Sequence, residues 1–224
     1  MNPIPYPSAP LVKVCGLTRK EDVDLCHSLD VDFTGFIFSS ASKRRISPET
    51  AAVMPQGKAA RVGVFTHTPP QEVLNLMNLA NLRYAQLHSG EDSAFCAAIG
   101  SERVIKVLWP EAMTQHELQA GINHFTPFCS YFLFDAGKQG GGSGKTIDCA
   151  FLNDIYIPKP WFLAGGLGPE TLTSLLQKSA PPGIDLNSAV EISPGVKDKT
   201  KLAASLRIIR SRHDKKPISK KDFP

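Results

Sequence analysis

The run LVKVCGLTRKEDVDLCHSLDVDFTGFIF, residues 11–38, contains one complete repeat of the fold. LVKVC (11–15) and FTGFIF (33–38) are short, rich in β-branched and aromatic residues, and read as strands. Between them, Thr18 and Glu21 have the spacing of a capping box, in which the hydroxyl accepts from the third helical amide and the carboxylate reaches back to the Thr18 amide. Strand, helix, strand is the pattern, and it continues along the chain. ARVGVF (60–65), YAQLH (84–88), RVIKVLW (103–109), YFLFD (131–135), WFLAG (161–165) and GIDLN (183–187) bring the strands to eight.

Helix starts fall between these strands. Ser47-Pro48-Glu49, Thr68-Pro69-Pro70 and Gly168-Pro169-Glu170 place proline at or near the first helical position, where its missing N–H costs nothing. Val73, Leu74, Met77 and Ala80, then Leu172, Leu175 and Leu176, then Leu202, Leu206 and Ile209, follow helical spacing and mark core-facing stripes. Eight strands alternating with helices predict an α/β fold, a single parallel eight-stranded (β/α)8 TIM barrel over residues 11–212. A Pro-rich extension (1–10) precedes it and a basic tail (213–224) follows. A doubly wound open sheet gives the same periodicity, and in both folds the working residues lie at the carboxyl ends of strands.

Composition narrows the class. Of 224 residues, 42% are hydrophobic and 21% charged, the ordinary globular mix rather than that of a disordered or fibrous chain. No run approaches the roughly 18 apolar residues of a membrane-spanning helix, and MNPIPYPSAP has no apolar signal core. The formal charge is +4, but Arg210–Pro224 alone carries six basic residues and two Asp, so the remainder is neutral. A neutral body offers no general field for nucleic acid or an anionic membrane, and neither is expected as a partner. The five cysteines, Cys15, Cys26, Cys96, Cys129 and Cys149, are odd in number and lack any CxxC pair. That disfavours a disulfide framework and a zinc site, and fits a cytoplasmic protein with reduced thiols.

The strand ends carry the chemistry. Cys15 follows Lys13 by two residues, so both share one strand face, and the ammonium is expected to favour a thiolate. Asp135 ends an apolar strand, where Phe132 and Phe134 are expected to disfavour ionisation and leave an acid able to donate a proton. Cys base and Asp acid form a candidate pair. Ser42-Lys43-Arg44-Arg45 follows the second strand, where a guanidinium can grip a carboxylate through two parallel hydrogen bonds. Gly165-Gly166 and Asp185-Leu186-Asn187-Ser188-Ala189 follow the seventh and eighth strands, where barrels bind phosphate with backbone amides. Gly144-Lys145-Thr146 has the end of a phosphate-binding P-loop, but Gln139 stands where that motif needs glycine, which leaves a flexible loop or an active-site lid over Ala136–Thr146 as the readings of this glycine-laden segment. Thr171 stands where a dinucleotide-binding GxGxxG needs its third glycine. His88, at a strand end, reads as structural.

These residues, in this order, resemble the phosphoribosylanthranilate isomerases. The resemblance rests on KVCGLT (13–18), GFIF (35–38), the stretch Ser42–Ser47, VGVF (62–65), QLH (86–88), GGSGKT (141–146), LAGGL (163–167), DLNSAVE (185–191) and SPGVKD (193–198), and covers roughly Leu11 to Ile209. It implies a (β/α)8 barrel that carries out an intramolecular oxidation–reduction, the Amadori rearrangement of N-(5'-phosphoribosyl)anthranilate in tryptophan biosynthesis, with no metal or organic cofactor. It further implies Cys15 as general base at C2', Asp135 as general acid at the furanose ring oxygen, and Arg44 on the anthranilate carboxylate. Gly165, Gly166, Asp185, Asn187, Ser188 and Ala189 would bind the phosphosugar. A monomer or homodimer is expected. Ser89 departs from the family pattern, where many relatives have glycine, and puts the local turn in question. A metal-dependent epimerase would need a His/Asp ligand cluster at several strand ends, and a nucleic-acid-binding protein would rely on the tail alone.

Overall fold

The chain is described by a computed structural model covering residues 9–136, 152 and 154–211. Eight parallel strands close into a barrel: β1 (Leu11–Val14), β2 (Phe33–Ile37), β3 (Ala60–Phe65), β4 (Tyr84–Leu87), β5 (Val104–Leu108), β6 (Tyr131–Asp135), β7 (Trp161–Ala164) and β8 (Gly183–Leu186). Closure is carried by β8 returning to β1, in register from Leu11 opposite Gly183 to Val14 opposite Leu186. That pairing rules out the open doubly wound sheet.

Helices α1 (Lys20–Ser28), α2 (Pro48–Ala52), α3 (Pro70–Leu79), α4 (Ser93–Ile99), α5 (Gln115–Phe125), α6 (Pro169–Lys178) and α7 (Lys199–Ser211) pack outside the strands. Ser47 caps α2 as its sequence promised, accepting from the Thr50 amide, and Pro48, Pro70 and Pro169 all open helices. The box expected at Thr18 and Glu21 does not form. Arg19 is the N-cap of α1, and the Thr18 hydroxyl instead donates to the Gly195 carbonyl at 2.7 Å, tying the first βα loop to a distant hairpin. A reciprocal box does occur at Thr114 and Glu117, opening α5.

Alternation divides the strand residues between two cores. Outward-facing Val12, Val14, Phe132, Phe134, Ile184 and Leu186 join the helix stripes in the larger cluster. Inside the barrel, Phe33, Val62, Ile105, Val107, Leu133 and Phe162 form the second. Its floor is aromatic: Phe33 stands edge-on to Phe162 at 5.1 Å and to Tyr131 at 5.6 Å, and Tyr84 meets Tyr131 at 5.4 Å. After β8 a 3-10 turn (Ser188–Val190) leads into a small antiparallel hairpin, β9 (Glu191–Ser193) and β10 (Val196–Lys197), which the sequence reading did not separate as structure. The segment expected to be a lid, apart from Ala136, most of the N-terminal extension, Cys149 and the tail from residue 212 lie outside the described residues.

Candidate active site

Six of the eight expected strands end one residue before their predicted ends, and the residues left over line the mouth. Cys15, His88 and Asn187 each follow the last ladder residue, while Asp135 is the last residue of β6. Parity fixes which way they face. Leu11, Lys13 and Cys15 alternate inward on β1, as Tyr131, Leu133 and Asp135 do on β6. Phe132 and Phe134 therefore lie on the opposite, helix-facing side of β6 from Asp135, and the apolar surroundings expected for its carboxyl do not come from them.

Lys13 is fully buried, and its Nζ donates to Asp185 Oδ2 at 2.8 Å across the closing seam between β1 and β8. Burial works against the ammonium, but the Asp185 carboxylate and the Cys15 thiol outweigh it and hold its pKa above the ordinary value. Cys15 is also buried, and burial pushes its thiol pKa up, with Lys13 pulling the other way. The thiolate expected from Lys13 alone is thus overridden: desolvation penalises the charged form more than one neighbouring cation, itself shared with Asp185, can offset. Space for the thiol depends on Gly35 of β2, where any Cβ would lie 2.8 Å from Cys15 Sγ. Asp185 Oδ1 is buried and meets no hydrogen-bond partner among the described residues.

Across the mouth, His88 Nε2 lies 3.5 Å from Asp135 Oδ2, both partly exposed. Burial and the Lys13 charge lower the His88 pKa to about 4, so the ring is neutral at physiological pH. Gln86 Nε2 is 3.1 Å from His88 Nδ1. With the amide donating there, the ring proton sits on Nε2, facing Asp135. His88 stands beside the candidate acid rather than serving only the scaffold. Ser89 keeps the neighbouring turn: its hydroxyl accepts from the His67 amide at 2.8 Å and donates to Glu91, while Gly90 takes the left-handed conformation at φ 85°.

The segments after β7 and β8 meet. Gly165 and Gly166 have φ of 108° and 62°, conformations that favour glycine. Thr171, which excludes a dinucleotide fingerprint, clamps the following turn, its hydroxyl accepting from the Gly168 amide at 3.1 Å. A Cβ on Gly168 would be 2.8 Å from Ala189 Cβ, so the two loops are in contact. The amides of Gly166, Ser188 and Ala189 meet no backbone acceptor among the described residues. Arg44, after β2, directs Nε and Nη2 at Glu191, with the closest contact 2.7 Å, and Lys197 Nζ reaches the same carboxylate at 2.8 Å. Neither Glu191 nor Lys197 was singled out from sequence, although Glu191 closes the DLNSAVE motif. No group of three or more metal-ligating side chains occurs among the described residues.

The family profile described as N-(5'phosphoribosyl)anthranilate (PRA) isomerase matches residues 12–207. The chain belongs to this family. Among curated isomerases of that name, the one from Maridesulfovibrio salexigens is 48% identical over 200 residues, covering 89% of this chain and 98% of the relative. The phosphoribosyl anthranilate isomerase of Thermus thermophilus superimposes with a TM-score of 0.77 at 34% identity, over 90% of this chain and 99% of that one. A further member of the family, solved in complex with reduced 1-(o-carboxyphenylamino)-1-deoxyribulose 5-phosphate, matches with a TM-score of 0.74 at 28% identity, over 90% of this chain and 99% of that one. The four cysteines among the described residues are free and buried, and no described helix is long and apolar enough to cross a membrane.

Proposed function

We propose that this chain isomerises N-(5'-phosphoribosyl)anthranilate to 1-(2-carboxyphenylamino)-1-deoxyribulose 5-phosphate, with Asp135 as general acid and Cys15 as general base. The observation that carries the assignment is the pair of reactive groups facing one mouth from β1 and β6, Cys15 beside Lys13 and Asp135 beside His88. Asp135 delivers a proton to the furanose oxygen, the C1'–O bond breaks, and the electrons of the anthranilate nitrogen form a protonated imine. Cys15 then removes the C2' proton, giving an enol amine that relaxes to the ketone. C1' is reduced as C2' is oxidised, so the reaction balances within the substrate.

The neighbours suit these steps. His88 stands with its neutral ring 3.5 Å from the Asp135 carboxyl group and so can steady its aim without adding a charge. Lys13 lies where a thiolate would form and lowers the cost of making it, against the burial that keeps the resting thiol protonated. Asp185 Oδ1, otherwise unsatisfied, is suited to accept from a sugar hydroxyl, since a buried acceptor without a partner is costly. Gly165, Gly166, Asn187, Ser188 and Ala189 form the phosphate end, and Arg44 the carboxylate end. The assay is direct: purified protein is added to N-(5'-phosphoribosyl)anthranilate and the loss of anthranilate fluorescence is followed. No loss above the spontaneous rate would refute the reading.

A further inference from the structure

Glu191 has only 3% of its side chain exposed, yet it lies between two cations. Arg44 Nε donates to Oε2 at 2.9 Å and Oε1 at 3.0 Å, and Nη2 donates to Oε2 at 2.7 Å. Lys197 Nζ at 2.8 Å and the Gly195 amide at 3.2 Å complete the shell around Oε1. Burial works against this carboxylate, but the bonds from Arg44 and the Lys197 charge hold its pKa below the ordinary value. Lys197 also reaches Asn187 Oδ1 at 3.1 Å.

A guanidinium is planar, and its donors lie along two usable edges. Glu191 engages the edge made by Nε and one N–H of Nη2, which fixes the plane and leaves the edge of Nη1 and the second N–H of Nη2. Nη1 makes no hydrogen bond to the described residues. The stem is confined as well: a Cβ on Gly16 would fall 2.8 Å from Arg44 Cδ and 2.7 Å from Asn187 Oδ1. Charge matters as much as aim. Arg44 with Glu191 alone would be neutral, but Lys197 restores a net positive cluster, so a second carboxylate is still attracted.

We propose that Glu191 is a positioning residue that aims the remaining edge of Arg44 at the substrate's aromatic carboxylate, and so sets the preference for a carboxylated aglycone. This rests on the assignment of Arg44 to that carboxylate, and the test separates the two. Rates are compared on N-(5'-phosphoribosyl)anthranilate and on its carboxyl-free aniline counterpart, for the parent, Arg44→Met, Glu191→Gln, and Glu191→Gln combined with Lys197→Met. The double variant removes the ammonium that the single variant leaves buried without its counter-charge.

Arg44→Met should collapse the preference for the carboxylated substrate by at least about tenfold, the loss expected when a site built to bind a polar group loses its donor. Glu191→Gln and the double variant should raise KM for that substrate, with the fall in kcat/KM about tenfold larger on it than on the carboxyl-free one. If Arg44→Met abolishes the preference while both Glu191 variants keep the parental ratio, the inference fails and the assignment of Arg44 stands. If Arg44→Met keeps the ratio, the assignment fails and the inference with it. Equal losses on both substrates in folded Glu191 variants would reduce Glu191 to a structural role and overturn the proposal.

Discussion

At the floor of the barrel Phe33, Tyr84, Tyr131 and Phe162 pack ring against ring, whereas a few residues further along the same inward faces stand Lys13, Cys15, Gln86, His88, Asp135 and Asp185. The floor needs only area and shape, and gains stability from apolar burial and aromatic edges. The mouth holds buried charge, a protonated thiol and an unsatisfied carboxylate oxygen, each costly without a ligand or partner. The difference teaches that stability and chemistry are separated along the strand direction, so that substitutions at the two levels should fail in different ways.

The sharpest break is at the mouth. Asp135→Asn keeps the shape but cannot act as an acid, and should lower kcat by at least about 100-fold, as for other general acids, with the melting temperature nearly unchanged. Cys15→Ser should be comparably severe, because a hydroxyl is a far weaker base. Retained turnover in either folded variant would remove that residue from the mechanism. The converse belongs to the floor: Phe162→Ala should cost about 3–5 kcal/mol in a denaturant titration while leaving kcat of the folded fraction intact. A large kcat loss there would mean that the two levels are coupled.

Two smaller effects sharpen the contrast within the mouth. Gly166→Val places a β-branched residue at φ 62°, and its Cβ would meet no protein atom within 4 Å. Its effect should be a KM raised about tenfold through lost amide contacts, and inorganic phosphate should compete with substrate in the parent. An unchanged KM would move the phosphate site elsewhere. For pH, the sign follows from burial: the Cys15 thiol is raised, so the base form grows as pH rises. kcat/KM should climb through neutrality, with its midpoint on the alkaline side of an ordinary thiol's. A midpoint well below that would make the thiolate the resting form. The smallest effect is expected from truncation after His213, since the tail has no apolar period to pack, and activity and melting temperature should both hold.

How much of this was legible depended on whether a feature was local. Strand composition and helix-opening prolines are local, and the eight strands and the Pro48, Pro70 and Pro169 starts were read directly. Thr18 looked like a cap because its spacing to Glu21 is right, yet Gly195, far along the chain, competes for the hydroxyl. Phe132 and Phe134 are adjacent to Asp135 in sequence and face away from it in space, an error that strand parity alone would have prevented. The Arg44 and Glu191 pair could not be found by spacing, because the partners meet through an excursion after the barrel has closed.

The bond from Lys13 to Asp185 spans 172 residues of chain. During synthesis the first strand therefore emerges carrying a lysine whose counter-charge has yet to be translated, and the ring has no final stave to close it. Without β8, the edge of β1 that pairs with it would stand open, and an open strand edge is a template for association. Joining the last stave to the first therefore completes the hydrogen-bonded ring and covers that adhesive edge along the same seam that sets Lys13 against Asp185.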